Sequence, residues 1–93
     1  MKKGGLLDFL WNNAGEQMEV ETTIYGSFVG VSHSVEEDCG ENYDELGWNF
    51  DKINGVEYSC ISLKDIARVR LVGETDWAWD ISQTAQQKYL QAV

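Results

Sequence analysis

The chain has 93 residues, 43% of them hydrophobic and 12% aromatic, with no proline and a formal net charge of −9 from sixteen acids against seven bases. That length allows one domain with a small core, and the apolar content excludes a disordered tail. The negative field repels phosphate at long range, which argues against non-specific nucleic-acid binding, and it keeps a small protein soluble.

No apolar leader follows Met1-Lys2-Lys3. No apolar run reaches the roughly 18 residues that a membrane span needs. The expectation is a soluble, cytoplasmic chain with no membrane partner. Cys39 and Cys60 are the only cysteines. In a reducing compartment they are expected as two free thiols. Together with His33 they supply three zinc-ligand types, but the spacings match no zinc pattern, so no metal or cofactor is expected. His33 also has no nucleophile or acid near it in the sequence, and the chain is not read as an enzyme.

Leu6, Leu7, Leu10 and Trp11 form one apolar stripe, which predicts a short N-terminal helix ending at Asn12-Asn13-Ala14-Gly15. In "EQMEVETTIYG", Met18, Val20, Thr22 and Ile24 alternate with polar residues and predict a half-buried strand. Gly26 is the expected turn, and residues 28–33 the returning strand. Gly30 inside that strand reads as a bulge or a sharp bend.

Residues 34–47 read as a loop. Glu36, Glu37, Asp38, Glu41, Asp44 and Glu45 place six acids within ten residues and no base among them. The spacing does not fit a calcium-binding EF-hand, which leaves a solvated acidic loop. Residues 48–52 and 56–63 predict two strands joined at Asn54-Gly55, the dipeptide that a type I′ hairpin prefers. The second of these strands is expected to be buried on both faces in its distal half. Lys64-Asp65 is a tight break, and Ile66, Val69, Leu71 and Val72 mark a last strand. Trp77, Trp79 and Ile81 then alternate. Ser82 is placed to cap a C-terminal helix with Ala85, Tyr89 and Ala92 or Val93 inside.

This order, with Gly26, Phe28, Gly30 and Val31 in "VETTIYGSFVGV" and Ile61, Lys64 and Ile66 in "ISLKDI", resembles the Sm/LSm family, including its bacterial Hfq-like members. Ser62 and Leu63 stand where that family carries an Arg-Gly pair. The resemblance covers residues 5–72. It implies a mainly β fold, an Sm-like, strongly bent five-stranded barrel with an N-terminal helix. Residues 1–73 would form the barrel and 74–93 a C-terminal helical extension of the same domain. It also implies a homo-oligomeric ring of about five to seven subunits, closed by pairing the fifth strand of one copy with the fourth of the next. Tyr58, Cys60, Val69 and Leu71 would line that interface. Single-stranded RNA would meet Asn49, Lys64, Arg68 and Arg70. The alternative is an acidic, phage-borne protein-interaction or inhibitory module that contacts a basic partner and binds no RNA.

Overall fold

The computed structural model describes residues 3–53 and 55–82. A helix α1 (Lys3–Asn12) precedes strands β1 (Gln17–Thr22), β2 (Ser27–Cys39), β3 (Glu45–Ile53), β4 (Val56–Ser62), β5 (Ile66–Leu71) and β6 (Trp79–Asp80). Among the described residues the strands form one open antiparallel sheet in the order β4-β3-β2-β1-β5-β6. The chain is thus mainly β with an N-terminal helix, as expected. The predicted C-terminal helix lies beyond Ser82, outside the described residues.

Alternation builds the central strands. Met18 and Val20 of β1 are buried, and so are Phe28 and Ser32 of β2 and Trp48 and Phe50 of β3. Leu6 and Leu10 bring the helix onto this face, with Leu7 and Phe9 packed at its margin. Trp11 completes the predicted stripe only at its edge. It is 58% exposed and meets Trp48 edge-on at 6.0 Å. Each large apolar side chain fully withdrawn from water contributes about 1.5–3 kcal/mol, so Trp48, Phe50, Leu10 and Met18 dominate the core.

One serine fixes the helix to the sheet. Ser32 is 1% exposed. Its hydroxyl donates to the Leu10 carbonyl at 2.8 Å and accepts from the Trp48 indole N–H at 2.9 Å. Its backbone oxygen accepts from Gly15 N–H, and its own N–H donates to the Glu16 carbonyl. Gly15 has φ +91°, a left-handed position at the helix exit, as the sequence predicted.

Four expectations need correction. First, β1 ends at Thr22, and Ile24 is 63% exposed in the turn. Thr22 closes that turn itself: its N–H and hydroxyl both donate to the Gly26 carbonyl. Second, Gly30 is not a bulge. It pairs in register with Met18, and a Cβ there would stand 2.9 Å from Phe50 Cβ, so its absence makes room for the Phe50 ring. The register shift falls later, between Ser32 and Ser34. Third, residues 34–39 are strand, not loop. β2 runs thirteen residues to Cys39, and β3 starts at Glu45. Fourth, Cys39 and Cys60 are joined as a disulfide rather than held as free thiols. The two corrections belong together, because a bridge from the end of β2 needs β2 to continue that far.

The β3–β4 hairpin closes at Ile53↔Val56, with Gly55 at φ +82°; Asn54 lies outside the described residues. Ile61 and Ser62 are both buried, as expected for the distal half of β4. A 3-10 turn at Leu63–Asp65 forms the predicted break.

Replacing Ser32 by alanine strands the Trp48 indole N–H and a helix carbonyl in the core. A destabilisation of about 1–3 kcal/mol is expected in urea unfolding, the cost of a buried polar group left unpaired. Threonine, which keeps the hydroxyl, is expected to recover part of that loss.

Candidate functional site

Strand pairing turns the acidic run into a surface. In β2, Ser34, Glu36 and Asp38 follow period two and lie on one face. β3 adds Asn49 and Asp51, and β4 adds Glu57, Ser59 and Cys60. Together with His33 and Phe50 these residues line an open groove of about 440 Å³. Four carboxylates face it, and no lysine or arginine is among its described lining residues. Exposure to water keeps the mutual repulsion of these groups small.

The groove's floor is held by a clasp around Cys60. Cys39 is 1% exposed, and it reaches Cys60 across β3 at Gly47. A Cβ on Gly47 would stand 2.5 Å from Cys39 Sγ and 2.7 Å from the Ile61 carbonyl, so glycine is required there. Cys60 takes φ +56°, a left-handed conformation that costs a residue with a Cβ about 1–2 kcal/mol. The β3–β4 register slips at the same place, between Trp48↔Ile61 and Phe50↔Tyr58. The Cys60 N–H donates to Asn49 Oδ1 at 2.8 Å, and Asn49 Nδ2 donates to Glu36 and to Ser34, each at 3.3 Å. Asn49, expected to read RNA, is engaged by this clasp on both ends of its amide.

The other expected RNA contacts also have protein partners. Lys64 pairs with Glu45 at 3.0 Å, Arg68 with Glu21 and Arg70 with Glu19, both at 2.8 Å. The two arginine pairs follow from register, since Glu21↔Arg68 and Glu19↔Arg70 are direct neighbours across β1 and β5. Both guanidinium carbons also sit over the Trp77 ring, 4.1 and 4.2 Å from its centroid. Glu21 holds the Arg68 guanidinium above its usual range. Hydrogen bonding to Glu45 raises Lys64, and Lys64 lowers Glu45 below the ordinary 4.5.

The residues expected at a subunit interface are dispersed. Val69 is wholly buried, between Val20 of β1 and Trp79 of β6. Tyr58 stacks on Phe28 with ring centroids 3.9 Å apart. Leu71 is half-buried opposite Met18, and Cys60 is in the bridge. β6 covers β5 at Arg68 and Val69.

A second, more apolar groove of about 630 Å³ lies between α1, the 3-10 turn and β6. It is lined chiefly by Leu6, Leu7, Leu46, Leu63, Trp79 and Ile81, with the Lys64–Glu45 pair beside them. Among the described residues no group of three or more His, Cys, Asp or Glu side chains is arranged to hold a metal ion, and no helix is long and apolar enough to cross a membrane. Scans against protein-family models, curated proteins and solved structures return no match to the chain.

The Glu45–Lys64 pair gives a signed pH dependence. A carboxylate lowered in the folded state adds stability above its unfolded value, and that contribution is lost as pH falls through the lowered one. Lys64→Ala is therefore expected to lower the urea midpoint at neutral pH and to make little difference once the pH lies well below the lowered value of Glu45, where the carboxyl has taken up its proton. A gap of equal size at both pH values would mean that Lys64 acts through packing rather than charge.

Proposed function

We propose that the chain is an acidic protein-interaction module whose recognition surface is the outer face of β2, β3 and β4, and that its partner is a lysine- or arginine-rich segment of another protein. The carrying observation is a sorting of charge. Each of the three cationic side chains described, Lys64, Arg68 and Arg70, faces a carboxylate of its own fold, whereas Glu36, Asp38 and Glu57 converge on a groove with no lysine or arginine among its described lining residues. Single-stranded RNA would have to draw those cations away from their carboxylate partners, and the net charge of −9 opposes its approach. The same charge steers a basic partner in and raises its association rate.

The fold reading that accompanies this is an Sm-like five-stranded core. Supporting it are the N-terminal helix, the β3–β4 hairpin and the 3-10 turn that separates β4 from β5. Ring assembly is the part of the resemblance we set aside. β6 lies on the edge of β5 that a neighbouring copy would use, and the register slip at Cys60 interrupts β4. Covered and bulged edges resist further strand pairing.

A titration at low salt tests the reading. A labelled lysine-rich peptide is expected to bind saturably and to weaken steeply as salt rises. Asp38→Asn combined with Glu57→Gln is expected to weaken it about tenfold, or about 1.4 kcal/mol. Labelled oligo-U is expected not to bind. Saturable oligo-U binding that Lys64→Ala abolishes would replace this reading with the RNA one.

A further inference from the structure

We infer that the Cys39–Cys60 bridge is a thiol-controlled latch on the acidic groove, whose reduction relaxes β4 and reshapes the groove while the rest of the sheet stays folded. Three observations meet at one residue. Cys60 is a non-glycine held at φ +56°. The β3–β4 register slips beside it. Its N–H is taken by the Asn49 side chain. A residue with a Cβ keeps a left-handed conformation only while its surroundings enforce it. Here the enforcing link is the covalent one to Cys39, which is anchored in the buried end of β2.

The two sulfurs differ in access. Cys39 is 1% exposed, whereas Cys60 is half-buried and lines the groove. A dithiol reductant therefore attacks at the Cys60 sulfur. Its thiolate forms a mixed disulfide there, and the Cys39 sulfur leaves and takes a proton. The reductant's second thiolate then attacks its own first sulfur and closes a cyclic disulfide, releasing the Cys60 sulfur to be protonated. Two electrons pass from the dithiol to the bridge. Freed from Cys39, Cys60 can return to extended backbone, which removes the slip opposite Asn49. Asn49 then loses its acceptor role, and Glu36, tied to Asn49 Nδ2, shifts with it.

The remainder of the sheet has its own supports. Ser32 ties α1 to β2 and β3, and the Glu19–Arg70 and Glu21–Arg68 pairs tie β1 to β5. None of these passes through either cysteine, so reduction is expected to be local. The latch does not depend on what the groove binds; its effect on affinity rests on the basic-partner reading above.

The test is a pair of amide NMR spectra of the whole chain, oxidised and in excess dithiothreitol, with the cysteine Cβ shifts reporting the redox state. On reduction, the amides of Asn49, Ser59, Cys60 and Ile61 are expected to move. The Cys60 amide is expected to exchange with solvent at least about tenfold faster, because its hydrogen bond is broken. Met18, Val20 and Val69 are expected to stay in place, and reoxidation to restore the first spectrum. Cys60→Gly, which tolerates the left-handed backbone without a bridge, is expected to resemble the oxidised spectrum around Asn49 more closely than Cys60→Ser does. Shifts confined to the two cysteines would show a passive staple and overturn the latch. Collapse of the whole spectrum would show that the bridge holds the fold, and would overturn it equally. The lysine-rich peptide is titrated into both forms: an affinity change of at least about threefold is expected. Equal binding by both forms overturns the control of binding, and binding by neither overturns the partner reading while the spectra still decide the latch.

Discussion

The acidic face of this protein depends on one constraint: Cys39 has to reach Cys60 across β3, over a residue with no side chain. That constraint makes residue 47 a glycine, since any Cβ would strike the Cys39 sulfur. It keeps β2 paired with β3 to its last residue, Cys39↔Glu45. It sets Cys60 in a left-handed turn of backbone, and Asn49 is spent on the N–H left over. A closed loop of this length stabilises the fold by about 3 kcal/mol in the chain-entropy picture. The acids of residues 36–38 would otherwise favour solvent and a loose connection. Tied into strands, they become a face.

The sheet is thereby divided by charge. On β1 and β5 every described cation has a cross-strand carboxylate, and Trp77 lies over the two guanidinium groups. Exposed pairs of this kind contribute little each to stability. Their larger consequence is to leave the positive charge internally compensated. On the groove face of β2, β3 and β4 no described lysine or arginine lines the carboxylates Glu36, Asp38 and Glu57, and the field there is negative. Between the two regions stands Ser32, which joins the helix to the central strands with every polar group it has. One end of the molecule is a neutralised scaffold and the other presents a negative surface.

Much of the fold was legible in the residues. Alternation marked β1 and the inner face of β2, Asn54-Gly55 marked the hairpin, and Lys64-Asp65 marked the break before β5. Burial of both Ile61 and Ser62 was also legible, although its cause, the slip at Cys60, was not. The candidate site was legible only as a charge run. Glu36-Glu37-Asp38 looks like loop because acids disfavour strands locally, and here tertiary pairing and a covalent bond override that preference. The arginines looked available because cross-strand register, not sequence spacing, decides what they face. Ser32 carried no signal beyond its place in an alternating strand, and its role depends on a helix carbonyl 22 positions away. Gly47 was the available hint: a residue without a side chain on the strand between Cys39 and Cys60 leaves room for the bridge to cross it.

The measurement that tests the central claim most directly is chemical-shift mapping of the oxidised chain, titrated in parallel with a lysine-rich peptide and with oligo-U. The account predicts that the peptide perturbs the amides of Glu36, Asp38, Asp51 and Glu57 and leaves those of Lys64, Arg68 and Arg70 unmoved, and that oligo-U perturbs neither set. Saturable shifts at Lys64, Arg68 and Arg70 with oligo-U, and none on the acidic strands with the peptide, would contradict it.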